Sequence, residues 1–172
     1  MAVSINGTSG LTGVAAIDSV SSTELGYLDG VTSAIQTQIN AKLTEALTWT
    51  TYTPTWTATG GTPSIGNGTL TGKYIRIGKL LHFKIELTFG STTSVGTTTV
   101  WELGTPVSVV ADNSPMPIWI LDSGTAEHLG VANAIATTYV RPMVAGNYLS
   151  YNSPFTWTTS DRLRIQGTLE AS

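Results

Sequence analysis

The stretch LGYLDGVTSAIQTQINAKLTEAL, residues 25–47, decides how this chain is organised. Its apolar side chains recur every three or four residues, which places them on one face of an α-helix. A helix of this length is only marginally stable alone in water, so we expect another surface to cover this face. The rest of the chain offers no second helix, and a copy of the same helix is therefore the expected partner. The residues expected at this contact are Leu28, Val31, Ile35, Ile39 and Leu43.

The start of this helix is weakened by Gly30, because glycine costs about 1 kcal/mol within a helix. We therefore expect Leu25–Gly30 to form a separate turn and the main helix to begin near Val31. Isoleucine at successive core positions favours three associated helices over two. The sequence thus predicts that residues 25–47 form the stalk of a homotrimer.

The composition is typical of a β-protein with few charges. Charged residues make up 11% of the 172 residues, against roughly 25% in an average domain. Threonine occurs 30 times, and its branched side chain suits pleated strands. Such a surface is more usual in extracellular β-proteins and virion proteins than in cytosolic enzymes. The length allows one globular domain with an appendage.

From Trp49 onward the apolar period changes from about 3.6 to two, which indicates β-strands. The clearest strand alternates apolar residues from Leu81 to Phe89 with polar ones, and Gly78-Lys79 before it is a hairpin-turn candidate. Short strands separated by turns predict a mainly β fold, an antiparallel β-sandwich of jelly-roll type over residues 48–172. Whether the strands form two packed sheets or one closed sheet stays open. The remaining predicted strands are Thr69–Ile77, Thr98–Leu103, Pro117–Leu121, Glu127–Val131, Tyr139–Val144 and Arg162–Leu169.

Residues 1–24 are too short to form a core of their own. They have two interpretations, a flexible leader or an extended arm that becomes ordered on a partner surface. We prefer the arm, because apolar residues recur along the whole segment. The candidate anchoring residues are Val3, Ile5, Leu11, Val14, Ile17 and Val20.

Two parts of the chain resemble bacteriophage proteins. Residues 23–43, TELGYLDGVTSAIQTQINAKL, are similar to a helical module of phage tail fibres and other virion fibres, often ELxYLDGVTSxIQTQL. Residues 52–107 and 154–172 resemble a C-terminal β-domain of phage structural proteins. The resemblance implies a trimeric virion protein with a distal β-head, and it transfers no catalytic residue. Long tail fibres usually carry a shaft and an attachment domain before this module, where this chain has 24 residues.

Several classes of function find no support in the sequence. The absence of cysteine excludes disulfides and thiolate metal sites. His82 and the Glu127-His128 pair have no third ligand at a suitable spacing, so we expect neither a metal nor a cofactor. There is no G-x-S-x-G motif, and the acidic residues lie near turns, so we do not expect an enzyme. The net charge of −3, without a basic run, argues against nucleic-acid binding.

Five tryptophans and six tyrosines supply the remaining candidates for binding. Trp101 and Trp119 lie within apolar strands, and we expect both in the core. Tyr148 and Tyr151 lie in a segment rich in Gly, Asn and Ser. They are therefore the candidate surface-binding residues, since an exposed tyrosine can stack on a sugar or anchor a protein contact.

Together these features predict a structural virion protein that is made in the host cytoplasm and displayed on the particle surface. The first residues lack the basic start and apolar core of a signal peptide, and no apolar run approaches the roughly 20 residues of a membrane span. We expect a capsid decoration protein or short head fibre whose arm contacts the major capsid protein or another virion protein. The alternative is a receptor-binding module at a tail tip that recognises a host surface glycan or protein. A glycan-processing enzyme is a third, less favoured hypothesis.

Overall fold

The computed structural model describes residues 16–17, 20–28, 31 and 33–172, and the chain divides into two compact units between Leu43 and Thr44. The described residues are mainly β, with antiparallel strands and two short helices. In chain order the elements are β1 (Ala16–Ile17), β2 (Val20–Ser21), α1 (Ser22–Gly26), α2 (Ile35–Ala46), β3 (Thr50–Tyr52), β4 (Trp56–Ala58), β5 (Thr69–Ile77), β6 (Leu80–Thr88), β7 (Trp101–Gly104), β8 (Pro115–Asp122), β9 (Ala126–Asn133), β10 (Tyr139–Val144), β11 (Asn147–Tyr148) and β12 (Arg162–Glu170).

The first unit contains β1, β2 and α1, and α2 runs across the boundary into the second unit. The helix α2 begins at Ile35, four residues later than predicted. Val31 and Ser33 favour the helical conformation weakly, and the Val31 amide closes a turn by donating to the Leu28 carbonyl, 3.0 Å away. The Gln38 side chain donates to the Ser33 carbonyl at 3.0 Å, at the start of the helix.

The second unit is built around one antiparallel sheet. Among residues 50–172, nine strands follow one another by hydrogen bonding in the order β3-β5-β6-β12-β8-β9-β10-β7-β4, and β11 pairs with β10 as a tenth strand. The last strand of the chain, β12, thus lies in the middle, paired with β6 over nine residues and with β8 over four.

The hairpin of β5 and β6 confirms the clearest part of the sequence pattern. Strand β5 has the predicted bounds, and β6 pairs with it along nine residues. Gly78 occupies the turn with φ of 59°, a left-handed conformation that glycine adopts without strain. Side chains of β6 alternate between buried and partly exposed, as the sequence predicted. This hairpin therefore has one face in the core and one in contact with solvent.

The sheet curls so that its two ends approach each other. Strands β3 and β4 lie at opposite ends of the strand order but are three residues apart in sequence. The Tyr52 hydroxyl of β3 donates to the carbonyl of Gly104 on β7, the neighbour of β4, at 3.3 Å, and burial raises the pKa of Tyr52. Gly72 makes room for this ring, because a Cβ atom there would overlap the Tyr52 side chain.

The inward side chains of the curled sheet form one apolar core. Trp101, Phe89 and Trp157 meet at its centre, with ring centroids of Trp101 and Trp157 4.8 Å apart. The expectation that Trp101 is buried is confirmed. The sheet contributes fully buried residues from three neighbouring strands, which are Leu81, Phe83, Ile85 and Leu87 of β6, Leu163 and Ile165 of β12, and Ile120 of β8.

Candidate interaction surfaces

The five residues expected at the oligomer contact are all exposed in the single chain. Leu28 lies before α2, in the segment expected to be separate from the main helix, and Val31 lies before it because α2 begins later than expected. Three of them lie on α2 at intervals of four residues, and Leu47 follows the helix with a similar exposure. We call the exposed apolar residues of α2 the helix stripe: Ile35, Ile39 and Leu43, between 49% and 58% exposed.

The candidate anchoring residues fall largely outside the described part of the chain. Val3, Ile5, Leu11 and Val14 lie outside the described residues. The backbones of Ile17 and Val20 pair with each other in the antiparallel ladder of β1 and β2. This segment therefore contains a short local strand pair before α1.

The outward face of the sheet holds a shallow groove that the sequence did not reveal. Its volume is about 650 Å³, and its lining comes from four strands that are adjacent in the sheet, β6, β12, β8 and β9. The main lining residues are His82, Pro117, Trp119, Leu129, Arg164 and Gln166.

Trp119 is the aromatic residue of this groove, and its expected place in the core is wrong. It lies between the buried Ile118 and Ile120, so its side chain points to the opposite face of β8. Its indole nitrogen donates to Glu127 Oε2 at 2.9 Å, and the Arg164 guanidinium lies over the ring at 5.1 Å. An apolar run of sequence concealed the strand alternation that determines this position.

Polar side chains fix the floor of the groove. Arg164 pairs with Glu86 at 2.6 Å. His82 Nδ1 lies 2.9 Å from the Thr168 hydroxyl, and its ring meets the edge of Trp49 at a centroid distance of 5.6 Å. His82 is therefore held by neighbours on its strand face.

Tyr148 and Tyr151 are both partly exposed in the structure, at 38% and 39%. Tyr148 lies on β11, and the Arg141 guanidinium is 5.9 Å from its ring centroid. Tyr151 follows in a turn, where its backbone amide donates to the Thr98 carbonyl at 2.9 Å. The structure thus adds a cation to the Tyr148 candidate that the sequence did not place there.

Arg141 is the centre of a polar cluster on the outward face. It binds Glu102 at 2.7 Å and donates to the Tyr139 hydroxyl at 3.2 Å, while Thr57 donates to the other oxygen of Glu102 at 3.1 Å. Burial raises the pKa of Glu102, but the hydrogen bonds from Arg141 and Thr57 together lower it by more than burial raises it. The pKa of Glu102 therefore lies below its ordinary value. Glu102 is therefore held as an anion.

His128 stacks on Phe155 with ring centroids 5.3 Å apart. In the part of the chain that the structure describes, no group of three or more His, Cys, Asp or Glu side chains is arranged to hold a metal ion. Of the helices in the described residues, none combines the length and the apolar character needed to cross a membrane.

Models of known protein families, curated proteins and solved structures gave no match to this chain.

Proposed function

We propose that this chain is a homotrimeric structural protein of a bacteriophage particle, displayed on the particle surface as a capsid decoration protein or short head fibre. The observation that carries the proposal is the helix stripe, whose apolar side chains are exposed in a chain whose sheet already covers its own core. The resemblance of residues 23–43 to a fibre module supports three copies. We assign α2 to a trimerisation stalk and residues 1–24 to the anchoring arm.

For the second unit we propose a jelly-roll-like sandwich, in which the two halves of the curled sheet face each other across the core. The contact between Tyr52 and Gly104 supports this arrangement, because it joins β3 at one end of the sheet to β7, next to the strand at the other end. So does the core, in which Leu163 of β12 and Val140 of β10 belong to one apolar cluster. A pre-organised trimer of such heads would gain avidity from three weak anchors without any new contact.

The trimer is tested by Ile35→Asp, which places a charge on the helix stripe. We expect the native mass, measured by light scattering, to fall from three chains to one, because a carboxylate is costly to bury without a partner. The matched control is Thr37→Asp, which adds the same charge to α2 at another exposed position. Residues two positions apart lie on opposite sides of a helix, so the Thr37 side chain points away from that of Ile35. A trimeric Ile35→Asp variant would refute the stalk.

The anchoring role is tested by deleting residues 2–20. We expect a folded trimer that no longer joins particles, as measured by its copy number on purified particles. Normal incorporation of the truncated chain would remove the arm from the proposal. The position of antibody label distinguishes decoration, spread over the shell, from a tail-tip protein, confined to the tail.

The second candidate function is recognition of a host surface glycan or protein at a tail tip. Tyr148 favours it, because a partly exposed ring beside Arg141 can contribute stacking and charge to a ligand. Binding to a bacterial glycan array that is lost in Tyr148→Ala and retained in the control Tyr27→Ala would support this function. Hydrolysis of the bound glycan would indicate an enzyme.

A further inference from the structure

Large apolar side chains are exposed on the outward face of the sheet, although the core on the other face is complete. Leu81 and Ala132 point inward and are buried, so the residues that alternate with them on β6 and β9 point outward. Leu129 is the extreme case, at 76% exposed. We call these exposed residues the outer band: Ile77, Leu80, Leu129 and Val131.

The outer band has two parts at the two sides of the groove. Ile77 and Leu80 are paired across the β5-β6 hairpin. Leu129 and Val131 lie on β9, paired with Trp119 and Pro117 of β8. Exposed apolar patches rimmed by polar residues are typical of protein contacts.

Charge also differs between the two sides. Lys73 and Lys84 are directly opposite each other on β5 and β6, and like charges in such a pair are destabilising. Among the described residues, no carboxylate lies within 4 Å of either ammonium group. Glu86, on the same face of β6, is paired with Arg164, so Lys73 and Lys84 have no counter-ion among the described residues.

The β9 side carries an acidic residue where the β5-β6 side carries two lysines. Glu127 shares the outward face with Leu129, and its Oε2 accepts the hydrogen bond from Trp119. Its other carboxylate oxygen makes no ion pair with a described residue. One side of this face is thus apolar and basic, and the other is apolar and acidic.

We infer that the outward face is a contact between copies of this chain, in which the β9 side of one copy packs head to tail on the β5-β6 side of the next. Glu127 of one copy then neutralises Lys73 and Lys84 of its neighbour, while Leu129 and Leu80 bury each other. A head-to-tail contact uses two different patches and closes into a ring when the rotation allows it. The inference rests on the proposed homotrimer, for which it supplies a second contact besides the helix stripe.

The groove itself favours a protein occupant over a sugar. Arg164 already lies over the Trp119 ring, so this ring face cannot stack on a glycan without displacing the guanidinium. The indole nitrogen is likewise engaged with Glu127. The exposed remainder of this region is apolar, as Leu129 shows.

Cysteine cross-linking of the full chain tests the orientation directly, because the natural sequence contains no cysteine. In the double variant Lys84→Cys/Glu127→Cys the two sites of one chain are three strand steps apart, about 14 Å at the usual strand spacing, and also four residues apart along the strands, about 13 Å. A disulfide spans about 7 Å between Cα atoms at most, so a bond must join two copies. We expect covalent trimers on a non-reducing gel, and monomers from each single variant and from the control Lys84→Cys/Thr62→Cys.

The native mass before oxidation separates this inference from the proposed function. A mass of three chains without covalent trimers overturns the head-to-tail contact and leaves the stalk in place. A mass of one chain overturns both. Covalent dimers from a single variant would show a symmetric contact and also contradict the inference.

A charge exchange provides an independent measurement. Lys84→Glu should raise the dissociation constant of the trimer at least about ten-fold, because it brings like charges together across the contact. Adding Glu127→Lys to the same chain should restore most of the affinity. If the double variant dissociates as readily as Lys84→Glu, or if Lys84→Glu has no effect, the two residues do not meet. A glycan that binds trimers at Trp119 would also overturn the inference, because it would show the groove open.

Discussion

The helix α2 and the strand β6 are alike in sequence and opposite in environment. Both carry isoleucine and leucine at regular intervals, every four residues in α2 and every two in β6. Yet Ile35 is 49% exposed, whereas Ile85 is completely buried. The interval of the apolar residues thus indicates the type of element. What covers them depends on whether distant segments of the same chain can reach that face.

The largest effect is expected from introducing the same charge in both regions. Ile85→Asp places a carboxylate among Leu87, Leu163 and other core residues, where a buried unpaired charge costs several kcal/mol. This is comparable with the total stability of a small domain, 5–15 kcal/mol as a rough range. We expect loss of the β-sheet circular dichroism signal and of cooperative unfolding. Ile35→Asp should retain both while changing the native mass.

Two outcomes would contradict this comparison. If Ile35→Asp unfolded the sheet, the stripe on α2 would belong to the same cooperative unit as the core. If Ile85→Asp remained folded, strand β6 would not form the centre of that core. Circular dichroism of both variants at the same protein concentration, below the dissociation constant of the proposed trimer, distinguishes unfolding from loss of association.

The sheet and α2 also differ in the burial of their polar contacts. Asp161 is fully buried, and its carboxylate accepts hydrogen bonds from the backbone amides of Ser123 and Thr158, the first at 2.8 Å. It therefore joins the turn after β8 to the segment that leads into β12. In α2, by contrast, the hydrogen bond from Gln36 to Asn40 is exposed.

We expect Asp161→Ala to lower the free energy of unfolding by about 3 kcal/mol, since a buried amide left unpaired costs roughly 1–3 kcal/mol. Asp161→Asn should cost less, because one amide oxygen remains as an acceptor. The helix control, Gln36→Ala, should change stability by about 0.5 kcal/mol or less. Urea unfolding followed by tryptophan fluorescence measures all three, and equal effects of Asp161→Ala and Gln36→Ala would show that Asp161 does not hold the two segments.

Local strand structure could be predicted from the sequence where polar and apolar residues alternate. The predicted bounds of Thr69–Ile77 and Tyr139–Val144 are confirmed, and the other predicted strands agree with the structure to within a few residues. The Gly78-Lys79 turn also lies where the sequence predicted it, between β5 and β6. These features can be predicted because they depend on the conformational preferences of residues that are close in sequence.

The order of the strands and the groove could not be predicted in the same way. Strand β12 lies between β6 and β8. Its Leu163 pairs with Leu87 of β6, more than 70 residues earlier in the chain, and local periodicity contains no information about such distant pairs. Trp119 was misplaced for a related reason. Its neighbours are apolar on both faces, so the alternation that directs it outward cannot be recognised in the sequence alone. The candidate groove depends on both features.

A smaller effect than that of Asp161→Ala is expected at the polar cluster around Glu102, which is intermediate between the two environments: the Glu102 side chain is 17% exposed and the Arg141 side chain 27%. The pKa of Glu102 lies below its ordinary value of 4.5, so the folded state favours the ionised form. Its stabilising contribution is present above pH 4.5 and is lost as the pH falls through the pKa of the folded state. We expect Glu102→Gln to lower the free energy of unfolding by about 1 kcal/mol at pH 7.

The same variant supplies the pH test, because glutamine does not titrate. The difference in unfolding free energy between the natural chain and Glu102→Gln should shrink as the pH is lowered below 4.5. In a Thr57→Val background this difference should be smaller at pH 7, because one of the three hydrogen bonds to the carboxylate is missing. A difference that stays constant from pH 7 to pH 3 would mean that the charge on Glu102 contributes nothing beyond the shape of its side chain. In that case the charge on Glu102 would resemble the exposed contacts of α2, whose loss should have little effect on the free energy of unfolding.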